Sequence, residues 1–198
     1  ASFQFNVDGP IGSSPRDYCS DGGILILTGR PTPDQLAIGE FFVLVNNVIV
    51  NKLDHGLTDN GDGTATLNLQ TLATELGGSG AATIRYRFEN ASGCERFEDQ
   101  NITVHPAPVA SFNLTEACVD LVANFVDGST VSQGTIDKWE WDFDDGGASS
   151  TQSPDYTYDL IGQFDVSLTV TTAAGCDNTI VQRVNVGDIP DVNFSFGG

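Results

Sequence analysis

Apolar and polar residues alternate along most of this chain. In Gln163-Phe164-Asp165-Val166-Ser167-Leu168-Thr169-Val170 the residues Phe164, Val166, Leu168 and Val170 share one face and polar residues the other. This period of two marks a strand with one buried side. Alternating or β-branched runs also cover Gly23–Thr28, Glu40–Asn46, Val48–Leu53, Thr64–Leu69, Ala82–Glu89 and Gln100–Val104. Further runs follow at Ala110–Leu114, Asp120–Asp127, Ile136–Phe143, Asp155–Tyr158, Gly162–Thr172 and Asn178–Val186. Turn-forming stretches separate them, among them Asn46-Asn47, Asp59-Asn60-Gly61-Asp62-Gly63 and Gly77-Gly78-Ser79-Gly80. The only helical stretch is Leu72–Leu76, about one turn. Strands at this spacing predict an all-β fold of two-sheet sandwiches.

The pattern is also written twice. Ala91-Ser92-Gly93-Cys94 recurs as Ala173-Ala174-Gly175-Cys176, and Ala1-Ser2-Phe3 returns as Ala110-Ser111-Phe112. Val192-Asn193-Phe194-Ser195-Phe196 repeats the opening pattern once more. The expected organisation is two tandem immunoglobulin-like β-sandwich domains, residues 1–106 and 107–187, followed by 188–198 as the start of a further repeat or as an exchanged strand. Val104-His105-Pro106-Ala107-Pro108 joins the two as a short, Pro-stiffened linker. In the closing segment, Val192, Phe194 and Phe196 are candidate assembly residues, since an unpaired apolar strand adds readily to a neighbouring sheet.

Composition narrows the function. With 27 acidic residues against 8 basic ones and a net charge of -19, the chain would repel a phosphate backbone, which argues against nucleic acid. No segment approaches the apolar length of a membrane span. Four cysteines stand near the start and end of each repeat. The repeat favours Cys19 with Cys94 and Cys118 with Cys176, one disulfide per domain, in an oxidising compartment. Only His55 and His105 are present, no Cys-x-x-Cys spacing offers a zinc site, and no Ser stands in a Gly-x-Ser-x-Gly elbow. An enzyme is not expected.

Four ordered motifs in the second repeat carry a resemblance. They are Phe125-Val126-Asp127-Gly128-Ser129, Trp139-Glu140-Trp141-Asp142-Phe143-Asp144-Asp145-Gly146, Ser153-Pro154-Asp155-Tyr156-Thr157-Tyr158, and the Gly162–Val170 strand. Together they resemble a polycystic-kidney-disease (PKD) repeat, departing from it at Asp144, where the family usually has Gly. The first repeat, through Ala82–Cys94 and Ile102–Pro106, is similar to the immunoglobulin-like repeats that alternate with PKD repeats in large secreted Bacteroidota proteins. Those include gliding-motility adhesins and proteins of type IX secretion. The resemblance implies a location outside the cell or on its surface.

No cofactor is required by this reading, although calcium is a candidate ligand. Some PKD repeats of secreted proteases bind calcium through acids of the Trp-Asp-Phe turn, matched here by Asp142 and Asp144, with Asp127 and Asp165 as further candidates at the same end. Asp59–Thr64 has an EF-hand-like alternation but lacks the closing Glu, so a hairpin turn is expected there. Trp141 and Phe143 are expected to anchor the core. Trp139, expected on the opposite side of that strand and exposed, is the candidate for stacking on a surface glycan or packing on a neighbour. The function these readings support is a non-enzymatic structural segment of an extracellular fibre or cell-surface adhesin, whose partners are neighbouring repeats or copies of itself. The alternative is an accessory substrate-binding region of a secreted polysaccharide or protein hydrolase.

Overall fold

A computed structural model describes residues 17–29 and 38–190. The chain forms two compact units: Ala1–Ala107 with the short segments Ser132–Gly134 and Ala174–Cys176, and the remainder from Pro108 onward. Val192, Phe194 and Phe196 lie outside the described residues.

The first unit runs β1 (Asp17–Cys19), β2 (Ile24–Thr28), β3 (Ile38–Val45), β4 (Val48–Ile49), β5 (Leu57–Asp59), β6 (Thr64–Asn68), α1 (Leu69–Glu75), β7 (Gly80–Glu89) and β8 (Glu95–His105). A five-stranded sheet, ordered β1-β8-β7-β3-β4, and a three-stranded sheet, ordered β2-β6-β5, share one core. Leu25 and Leu27 of β2 and Ala65 and Leu67 of β6 are buried with Phe41, Val43, Ile84, Tyr86, Ile102 and Val104 of the larger sheet. These are the alternate positions of each strand, as period two requires. Asn68 caps α1 by accepting a hydrogen bond from the Thr71 amide at 2.9 Å, and Leu69, Leu72 and Ala73 bury its inner face.

The second unit repeats the plan of the larger sheet, while its smaller sheet has a different central strand. It runs β9 (Phe112–Leu114), β10 (Ala117–Cys118), β11 (Val122–Asp127), β12 (Ile136–Asp142), β13 (Ala148–Ser149), β14 (Asp155–Thr157), β15 (Gly162–Thr172) and β16 (Asp177–Gly187). The sheets are ordered β10-β16-β15-β12-β13 and β14-β11-β9. Val166, Leu168 and Val170 are fully buried, while Phe164 is half-buried and stacks on Tyr158 with ring centroids 4.5 Å apart. In both units the larger sheet ends on a parallel pair, β1 with β8 and β10 with β16.

The expected strand Val48–Leu53 is only two residues long, β4. Asn46 and Asn47 both take positive φ, 52° and 63°, and make the tight hairpin that pairs Val45 with Val48 and Leu44 with Ile49. The chain then leaves the sheet through backbone turns such as Leu57 N to Lys52 O at 2.8 Å, and Leu53 stands exposed. Strands β1, β5, β10 and β13 were not legible as alternation because each has only two or three residues.

Candidate functional site

The Trp-Asp-Phe turn forms one end of the second unit. Trp141 and Phe143 are 2% and 0% exposed, and with Phe112, Phe125, Tyr156 and Tyr158 they build a continuous aromatic cluster. Phe143 stacks on Tyr156 at 3.7 Å between centroids and 11° between planes. The Trp141 indole donates to the Thr151 carbonyl at 2.9 Å, so its polar atom is satisfied while its ring is buried.

The acids of this turn are engaged within the protein. Asp142 Oδ1 accepts from the Asp144 amide at 2.9 Å, and Asp145 Oδ1 accepts from the Gly147 amide at 2.9 Å. Asp144 takes φ of 65°. The left-handed conformation explains the preference for Gly there, and Asp is one of the few other residues that adopts it. Its Oδ2 accepts from the Asp165 amide at 2.8 Å. Asp165 in turn holds Arg183 through two bonds, 2.7 and 2.9 Å, and this guanidinium keeps its carboxyl below the usual carboxylate range.

Asp127 has a different office. Its Oδ2 accepts from the Trp139 indole at 2.8 Å and from the Gln152 amide at 3.0 Å, while Oδ1 accepts from the Ser129 amide at 2.9 Å. Burial acts to raise its carboxyl pKa, but these donors outweigh it and leave the pKa below its ordinary value. The structure therefore joins Asp144 to the Asp165 backbone and sets Asp127 apart beside Trp139. Among the described residues, no group of three or more His, Cys, Asp or Glu side chains is arranged to hold a metal ion. The Asp59–Thr64 stretch turns β5 into β6, with Asp62 Oδ1 accepting from the Thr64 amide and hydroxyl at 2.9 and 2.6 Å.

Two expectations need correction. Trp139 does not lie on the opposite side from Trp141: residues two apart in a strand share a face, and Trp139 is half-buried against the same core. Its indole edge is occupied by Asp127. The second correction concerns the cysteines. The disulfide joins Cys19 to Cys176, with Cα atoms 5.6 Å apart and a sequence separation of 157, while Cys94 and Cys118 are free thiols.

Strand length rules out the pairing expected from the repeat. Cys19 pairs in register with His105, the last residue of β8, whereas Cys94 immediately precedes the first. At roughly 3.3 Å per residue the 11 residues of β8 separate the two by about 35 Å, against about 6 Å for a disulfide. The same holds in the second repeat. Cys118 pairs with Gly187 at the end of β16, and Cys176 precedes its start by one residue across another 11-residue strand.

His55 Nδ1 lies 2.9 Å from the Asn51 carbonyl, and His105 Nε2 lies 3.8 Å from Asp17.

Residues 105–186 match the model of the PKD domain family. A pre-pro-metalloprotease, PrtV of Vibrio cholerae, is 33% identical over 103 residues, 52% of this chain and 11% of its own length. The chain therefore spans about a tenth of that relative. Among solved structures, the PKD1 domain of Vibrio anguillarum Epp is 35% identical, with 42% of this chain and 96% of that one covered and a TM-score of 0.40. The PKD1 domain of the Vibrio cholerae metalloprotease PrtV is 34% identical over 41% of this chain and 98% of its own, with a TM-score of 0.39.

Proposed function

We propose, proceeding from the PKD domain that residues 105–186 form, that this chain is a non-enzymatic, load-bearing spacer of an extracellular fibre or cell-surface adhesin. The observation that carries this reading is the Cys19–Cys176 bond. It brackets a separation of 157 residues, so tension entering before Cys19 and leaving after Cys176 passes through one covalent bond. The intervening polypeptide, including most strands of both units, is spared the load. Such a bond persists only in an oxidising setting, which agrees with a role outside the cell.

Once the bond is reduced, tension reaches the bracketed strands, and their geometry resists it. In β1 with β8 and in β10 with β16 the strands run parallel. Pulling the start of the first against the end of the second loads their hydrogen bonds together in shear, rather than one at a time. The charge of -19 supplies a solvated surface that resists collapse onto neighbouring chains.

The test is single-molecule pulling between the chain ends. The oxidised protein should withhold the bracketed segment, and reduction should release additional contour of ~550 Å at about 3.5 Å per residue. Full extension of the oxidised chain would sink the reading. A second reading, an accessory region of a secreted hydrolase, draws support from the similarity to PrtV. Its discriminating observation is a catalytic domain on the same native polypeptide.

A further inference from the structure

The four cysteines occupy two kinds of position, each present once per repeat. Cys19 ends the short edge strand β1 opposite the last residue of β8, and the next amide, Ser20, donates to His105 O at 2.8 Å. Cys118 ends the short edge strand β10 opposite the last residue of β16, and the next amide, Val119, donates to Gly187 O at 3.0 Å. Cys94 and Cys176 form the second kind. Each follows a glycine of positive φ, Gly93 at 77° and Gly175 at 87°, in the turn that opens the closing strand. The bond that is present joins an edge-strand cysteine of the first repeat to the turn cysteine of the second. The two left free, Cys94, exposed, and Cys118, half-buried, are one of each kind.

We infer that Cys118 and Cys94 are the two halves of a second bond of the same type, made between copies of this chain, with Cys118 of one copy joined to Cys94 of the next. The inference rests on the reading of the chain as a spacer built from repeats. Neither thiol can be satisfied by the other cysteine of its own repeat, because each repeat's edge-strand and turn positions stand about 35 Å apart along an 11-residue strand. Repeated head to tail, a bond from edge position to turn position joins each copy to the next through different residues and can extend along a row of copies. A covalently stapled row of repeats follows.

The bond needs an oxidant, and a small-molecule disulfide such as oxidised glutathione suffices. The Cys118 thiolate attacks it and expels one glutathione thiolate; the Cys94 thiolate then attacks the mixed disulfide and expels the second. Two protein thiols are oxidised, one small disulfide is reduced, and the two thiol protons pass to the departing thiolates.

Cys94→Ser and Cys118→Ser each leave one free thiol, and peptide mapping should find Cys19–Cys176 intact in both. In oxidised glutathione each variant alone should remain monomeric, whereas an equimolar mixture should yield a dimer carrying a Cys118–Cys94 peptide, reversed by reductant. The unaltered chain should form a ladder of multiples. A mixture that stays monomeric, single variants that dimerise as fast as the mixture, or a Cys94–Cys118 bond within one chain would each overturn the inference. None of those outcomes alters the pulling result expected for Cys19–Cys176, so the two readings fail separately.

Discussion

Asp127 shows how one acidic side chain among many acquires a structural task. Its carboxylate collects the Trp139 indole, the Gln152 amide and the Ser129 amide, so a half-buried indole N–H has an acceptor. Asp127→Ala leaves these donors unpaired and should cost about 1–3 kcal/mol at pH 7, measured by urea denaturation followed through tryptophan fluorescence. The pH dependence has a definite sign. Because the folded-state pKa lies below the ordinary value, the stabilisation is present above the unfolded pKa, near 4, and is lost as pH falls through the folded one. The variant should therefore show a shallower loss of stability on acidification, and an unchanged acid limb would refute the assignment. Nothing in the local sequence marks Asp127 for this role, because the Trp139 contact crosses from β12 to the end of β11.

The turn between β12 and β13 was the most legible segment in the chain, since its aromatic and acidic residues announce both core anchors and a tight reversal. Its tolerance for substitution depends on a contact the sequence does not display. A Cβ on Gly147 would meet the Tyr156 ring and hydroxyl, which stacks on Phe143 and donates to Asp145 at 2.7 Å. Burial, followed by the bond to Asp145, pushes the Tyr156 hydroxyl pKa up to about 12. Gly147→Ala should destabilise by about 1–3 kcal/mol by forcing the ring out of its stack. Most of that penalty should vanish when Tyr156→Ala is already present, a coupling measured by a double-mutant cycle. Additive effects would show that the glycine is needed for some other reason.

Each unit buries its own cluster, one built around Phe41, Leu67 and Tyr86 and the other around Phe125, Trp141 and Phe143, and none of the described residues belongs to both. Both tryptophans of the chain, Trp139 and Trp141, lie in the second, so their fluorescence reports that unit alone. In the reduced protein we expect two unfolding transitions. Trp141→Ala should lower the fluorescence-detected one by about 3–5 kcal/mol and leave the other, followed by circular dichroism, within about 0.5 kcal/mol. Transitions that move together would show that the two cores are not independent.

The positions of the long strands, the inward face of Gln163–Val170 and the PKD likeness of the second half could all be read along the chain, because side-chain alternation and turn chemistry are local properties of consecutive residues. The short edge strands, the partner of Trp139 and the pairing of the cysteines could not. They depend on which ends of two 11-residue strands meet, and identical Gly-Cys turns in two repeats are compatible with several pairings until register and strand length place each sulfur. The repeat suggested that each domain closes on itself; about 35 Å of extended strand between the two cysteine positions makes that impossible.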